Sequence, residues 1–446
     1  MRSFYLFFVL AIITFSSCTA DRMPSLVELD NQLRVLVASA SPDKTGDYYI
    51  IPNENDLQNI PQDPANPLTP VKVALGKFLY FETGIALDAK KEAGMHTYSC
   101  ATCHVPEAGF KPNNFQGVAD GGKSYGVTGE KRTKNIDYKD SELDVQSARP
   151  LSMVNVTFVK NTMWNGSFGA GHVNVGTESV WNIDPGTAMN HMGMSGIETQ
   201  NIEGVVTHRM KVDKKITDQL GYTEMFDQAF PEVPSSERYS LKTASFAMSA
   251  YIRTILSNRA PFQNWLKGDL SALSFDEKQG GILFFGKAKC SNCHYEKNLG
   301  SHEFHALGVK DMYQIPSYNA KASDKRNLGR GGFTLKEEDN FKFKVPGIYN
   351  VGDSRFYFHG ASKTSLEEVI RYKAATIPEN PNVAKEKISP KLLPFELTDL
   401  EVNQLVKFLE KGLRDPDLLR YKPTSIKSGL CFPNNDPQSR IDLGCF

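Results

Sequence analysis

Cys100-Ala101-Thr102-Cys103-His104 and Cys290-Ser291-Asn292-Cys293-His294 are two copies of one pattern, Cys-x-x-Cys-His, in a chain of 446 residues. The pattern is the attachment signature of a c-type haem. The two thiols add across the porphyrin vinyl groups, and the adjacent His offers a nitrogen to iron. A thioredoxin-like redox pair needs no His after its second Cys. A zinc site places its ligand pairs closer together than these two motifs stand. The reading is therefore two c haems, with Cys100, Cys103, Cys290 and Cys293 as attachment points and His104 and His294 as proximal ligands.

Composition excludes several other classes. The chain carries 51 Lys and Arg against 51 Asp and Glu, a formal net charge of zero. No basic patch speaks for nucleic acid, and no acidic tail speaks for a basic partner. With 40% hydrophobic and 23% charged residues the chain reads as globular. At about 100–200 residues per domain, two or three domains are expected.

The amino terminus reads as a targeting segment, residues 1–18. Arg2 is a short positive region, residues 4–15 are nearly all apolar, and Ser16-Ser17 precede Cys18. This resembles a lipoprotein signal ending at a lipidated Cys, although Phe15 stands where Leu is usual. Export to the periplasm, with the membrane reached only through a lipid anchor, is the expectation. No later segment is long and apolar enough to cross a bilayer. Of the seven cysteines, Cys431 and Cys445 remain. In an oxidising compartment such a leftover pair reads as a disulfide.

An internal repeat organises the rest. Gly76-Lys77-Phe78-Leu79-Tyr80-Phe81 recurs as Gly280-Gly281-Ile282-Leu283-Phe284-Phe285, each copy upstream of a haem motif. That implies a mainly α chain of two tandem cytochrome c-like domains with long loops. The expected division is a linker or arm over 19–70, a first domain over 71–265, a second over 266–420, and a tail over 421–446 with the disulfide. Helical spacing is read at 26–38, 239–264, 365–374 and 398–413.

The sixth position of each iron decides function. Beyond the proximal pair the histidines are His96, His172, His191, His208, His302, His305 and His359. None lies between His104 and His172, so a His from the loop after the first motif cannot cap that haem. Then come Arg149-Pro150, Asn155 and Met163-Trp164-Asn165-Gly166.

Together with Lys344-Val345-Pro346, Asn350, Phe358-His359-Gly360 and Leu366-Glu367-Glu368-Val369-Ile370, these motifs make residues 71–419 resemble the bacterial dihaem cytochrome c peroxidase family. That family includes the dihaem enzyme that matures methylamine dehydrogenase. The resemblance implies two covalent haems, a peroxide site at the first, electron relay through the second, and a Trp between them, here Trp164. Hydrogen peroxide would be the substrate, and a small cytochrome c, a copper protein or a quinol-linked chain the donor. Family peroxidases are often dimers, which makes a homodimer one expectation of the resemblance. The alternatives are oxidation of a protein side chain by the same haem pair, and a dihaem electron carrier without peroxide chemistry.

Three departures from the family pattern matter. No capping His follows His104, as in the subgroup whose first haem is open. The family's distal Glu, followed by Met-Gly, is best matched by His191-Met192-Gly193, with Asp184 and Glu198 as rivals. A His there would shuttle protons near neutral pH. The second haem's sixth ligand, Met or Tyr in the family, falls at Arg371-Tyr372-Lys373. Counting places Lys373 on the position, but family precedent favours Tyr372, with Met312 a weaker alternative. His359 reads as structural, lacking the Asp that usually follows. Arg149-Pro150 lacks the nearby Asn of the family's calcium site, which argues against calcium.

Overall fold

The computed structural model describes residues 23–445; the signal segment and Cys18 lie outside the described residues. The chain is mostly helical, with two two-stranded ribbons, Gly122–Lys123 with Thr133–Lys134 and Phe304–His305 with Phe343–Lys344. Among the described residues no helix is long and apolar enough to cross a membrane.

The glycine repeat builds the same crossing twice. Thr69 caps the helix Pro70–Phe81 by accepting from the Lys72 amide, with Pro70 in the first turn, where its missing N–H costs nothing. This helix crosses Leu241–Arg253 at Gly76, where a Cβ would stand 1.8 Å from the Ala247 carbonyl oxygen. Ser274 and Glu277 form a capping box that starts Phe275–Phe285. That helix crosses Asp399–Lys407 at Gly280, where a Cβ would stand 2.1 Å from the Gln404 carbonyl oxygen. Only a residue without a side chain allows backbones this close. Each crossing is followed by its haem motif, wound as one 3-10 turn over Cys100–Thr102 or Cys290–Asn292.

One hydrophobic core runs through both crossings, from Leu75, Leu79 and Tyr251 to Phe262, Phe285 and Phe408. The amino-terminal arm stitches over it. Helix Leu26–Ala40 lies on Phe275–Phe285, and its buried Asp30 accepts from Trp265 Nε1 at 2.8 Å and pairs with buried Lys278 at 2.9 Å. Farther on, Asn66 donates to the Phe246 carbonyl at 3.0 Å. The strap therefore touches both crossings.

The expected helices form with shifted ends. The 239–264 stretch is not one helix: Leu241–Arg253 stops and Pro261–Leu266 starts afresh. The break is stabilised by Asn155, whose amide donates to the Ile255 carbonyl at 2.8 Å and whose side-chain oxygen accepts from the Ser257 amide at 3.0 Å. The late helices are Leu366–Ala375 and Asp399–Lys407, the latter continuing as a π turn over Phe408–Gly412. In the tail, Cys431 and Cys445 form a disulfide. The tail also braces the first motif: Ser99 donates to the Pro433 carbonyl at 2.9 Å, and buried Arg132 pairs with Asp436 at 2.9 Å.

Candidate active site

In both motifs the turn closes with the His amide donating to the first Cys carbonyl at 3.0 Å. In the first motif both thiols and the imidazole line one cavity; in the second Cys293 and His294 line it and Cys290 does not. His104 Nδ1 lies 3.3 Å from the Phe110 carbonyl, and His294 Nδ1 lies 2.7 Å from the Leu299 carbonyl. A carbonyl can only accept, so Nδ1 carries the proton and Nε2 keeps its lone pair for a metal. Burial pushes both imidazoles down to about 4, so both are neutral at neutral pH, as a ligand must be.

Both motifs open onto one cavity of about 1040 Å³. Cys100, Cys103 and His104 line one end, and Cys293 and His294 line the other. The volume exceeds the ~300–1,000 Å³ of an ordinary single-ligand pocket. Trp164, also on the lining, donates from Nε1 to the Arg149 carbonyl at 2.6 Å. Its carbonyl accepts from the Lys344 amide at 2.8 Å. Its ring meets His359 edge-on at 6.1 Å, and His359 stacks on Phe343 at 3.6 Å. His359 is buried, and its Nε2 donates to Asp311 at 2.8 Å. Asp311 thus supplies from a distance the carboxylate missing after His359.

The lining also fits the acidic edge of a haem. Lys111, Arg149 and Lys344 are buried on it, and none has an ion-pair partner among the described residues. Arg149 spends Nη2 on the Pro112 carbonyl and Ser354, while its buried Nε has no partner. Burial pushes Lys111 and Lys344 down to about 7 and Arg149 to about 10. Three uncompensated buried cations are costly unless anions meet them, and haem propionates are such anions.

The expected distal residues fall elsewhere. His191 is exposed and off the cavity lining, with Nε2 3.0 Å from Asn182 Oδ1 and its ring against Trp181 at 5.1 Å. The 3-10 run Pro185–Met192 rolls it outward. Glu198 is fully buried, pairs with Arg253 at 2.5 Å and accepts from Ser195. It ties two helices together and does not line the cavity. Asp184 is exposed at the cavity's edge, where it caps the following turn by accepting from the Gly186 amide.

Other groups face this end. Gln200, Glu203, Gly204 and Thr207 of helix Gly196–Thr207 line the cavity, and so do His208 and Asp144. That spacing is one face of a helix. His208 Nδ1 meets Asp144 Oδ2 at 2.8 Å. Burial alone would lower the His208 pKa; the Asp144 carboxylate outweighs it and holds the pKa above the ordinary value.

At the second end the structure separates Tyr372 from Lys373. Tyr372 was expected to face the haem, but it is buried off the lining, donating to the Leu307 carbonyl at 2.6 Å with its ring against Phe358. Lys373 lines the cavity beside Cys293 and His294. Adjacent helical residues point about 100° apart, so the two side chains cannot share that position. Met312 is fully buried and also off the lining.

Residues 70–271 match the di-haem cytochrome c peroxidase family. The methylamine utilization protein MauG of Methylorubrum extorquens is 28% identical over 361 residues, covering 80% of this chain and 83% of that protein. The cytochrome c peroxidase Ccp of Escherichia coli is 27% identical over 315 residues, covering 71% of this chain and 55% of that protein. A solved structure of a MauG-like protein associated with microbial copper homeostasis shares the fold, with a TM-score of 0.56 and 23% identity over 83% of this chain and 95% of that one.

Proposed function

We propose, from the match of residues 70–271 to the di-haem cytochrome c peroxidase family and from the relatives named above, that this chain is a member of that family and reduces hydrogen peroxide to water with electrons from a small redox protein. It is an oxidoreductase, and its family implies two haem c groups. Residues 71–265 and 266–420 act as tandem cytochrome c-like domains, each of which would hold one haem through its two thiols and one imidazole Nε2. When bound, the haem pair supplies the redox-active iron at which peroxide is cleaved.

The chain's own side chains do the rest. The Phe110 and Leu299 carbonyls fix the ligand tautomers. Lys111, Arg149 and Lys344 would meet the propionates of a bound haem. Trp164, held by the Arg149 carbonyl and packed on His359, links the two ends. Glu203 and the Asp144–His208 pair take the proton-handling role first assigned to His191 and Glu198. With Nδ1 committed to Asp144, His208 has Nε2 to give and take a proton. The chain acts outside the cytoplasm, anchored through Cys18, where a cytochrome c or copper protein reaches it.

The observation that carries this reading is the single cavity lined by both His-bearing turns and by Trp164. Peroxide-dependent oxidation of a reduced cytochrome c by the two-haem protein tests it. Steady turnover is expected, and its absence with cytochrome and copper-protein donors alike overturns it. One observation favours a second reading, oxidation of a protein side chain: relatives matched over 80% and 79% of this chain are methylamine utilization proteins. Peroxide-driven modification of a partner protein without cytochrome turnover would select it.

A further inference from the structure

We propose that the side-chain amine of Lys373 is the sixth ligand of the haem held by His294, in place of a thioether or phenolate. The inference rests on the two-haem reading above.

Lys373 sits in the last turns of Leu366–Ala375, a helix fixed at its start by the Ser365–Glu368 capping box. Its side chain lines the cavity together with Cys293 and His294. The Cys290 and Cys293 thiols and the His294 imidazole are its electrostatic neighbours, all of them neutral. It makes no hydrogen bond or ion pair among the described residues; its one polar contact is the face of Phe358, 5.9 Å from Nζ to the ring centre. Lys373 is half-buried, and an amine on the cavity wall that finds no hydrogen-bond partner forgoes part of its solvation. An iron that accepts its lone pair removes that cost.

The rivals are all engaged. The Tyr372 hydroxyl is bound to the Leu307 carbonyl at 2.6 Å, and Lys363 lies over its ring at 4.9 Å. His305 lines the cavity, but its Nε2 meets Glu303 and its Nδ1 meets Ser389, each at 2.8 Å. Met312 does not reach the lining. The remaining uncommitted donor on the wall near His294 is Lys373.

Coordination balances simply. The ammonium releases one proton to solvent, and the neutral nitrogen donates its lone pair to iron. No electron moves. A thioether ligand favours a higher potential than a nitrogen donor does. An amine therefore sets the second haem lower than the Met-ligated relatives.

The test compares Lys373→Ala, Lys373→Met and Tyr372→Phe in the full-length haem-loaded protein. Haem content is measured first, then electron paramagnetic resonance and redox titration. Two covalent haems per chain are expected throughout; fewer in the wild type overturns the di-haem reading itself. With two haems present, Lys373→Ala should lose one low-spin haem per chain to a high-spin signal. Lys373→Met should keep it low-spin and raise its midpoint potential. Tyr372→Phe should leave both unchanged. A low-spin second haem that survives Lys373→Ala, an unmoved potential in Lys373→Met, or a signal lost in Tyr372→Phe overturns the lysine assignment alone.

Discussion

The two haem motifs are the same turn in different surroundings. Each closes through a 3.0 Å hydrogen bond from the His amide and fixes its imidazole by a carbonyl. Around His104 the wall carries Gln200, Glu203 and the Asp144–His208 pair, acid–base groups suited to moving protons. Around His294 it carries Lys373, an amine with no hydrogen-bond or ion-pair partner among the described residues. On the proposed function, the repeated attachment turn holds the cofactor and unrepeated side chains divide the labour between an open reactive end and a ligated relay end.

The largest effect should come from removing an axial imidazole. His104→Ala should abolish peroxide turnover while leaving two covalent haems, because both thiols remain; haem content and cytochrome oxidation measured together check this. If turnover persists, the ends have been assigned the wrong way round.

Next are the proton-handling groups. Glu203→Gln and His208→Ala should each slow peroxide turnover by roughly 10²–10⁴-fold if they act as acid–base catalysts. His191→Ala should change it by less than about threefold, since a side chain off the cavity wall has no part in the step. Stopped-flow reaction with peroxide distinguishes them, and the reverse pattern would restore His191.

The crossings give a smaller, structural effect. Gly76→Ala and Gly280→Ala each force a Cβ against a backbone carbonyl and should cost about 1–3 kcal/mol or more. Thermal unfolding should show both variants destabilised alike. A harmless Gly280→Ala would break the equivalence of the two crossings.

The smallest effect is a pH dependence at the first end. The His208 pKa is raised above its unfolded value of 6.5, so the Asp144 pair stabilises the fold fully below that value and is lost as pH rises through the folded value. The Tm gap between wild type and Asp144→Asn should be widest in mild acid and should narrow with rising pH. A gap independent of pH would separate His208 from Asp144.

The cofactor and the repeated helix ahead of each motif were legible in the chain because their signals are local; the crossings those helices make were not. Five residues define an attachment turn, and Gly76 and Gly280 mark backbone approaches that leave no room for a side chain. The motif around Trp164 singled it out, and the structure puts it on the cavity lining. The distal groups were not. His191 follows a 3-10 run that turns it to solvent, and nothing in its immediate neighbours announces that direction. Gln200, Glu203 and Thr207 do carry a sequence signal, a polar face at helical spacing. Asp144 and His208 stand 64 positions apart and meet only in the fold. At Tyr372 and Lys373 counting along the helix gave the position that faces the cavity, while precedent for the ligand type pointed to its neighbour.

Electron paramagnetic resonance of the fully oxidised two-haem protein tests the central asymmetry most directly. One high-spin and one low-spin haem per chain are predicted, the low-spin signal vanishing in Lys373→Ala. Two low-spin haems in the wild type, both surviving that substitution, would contradict it.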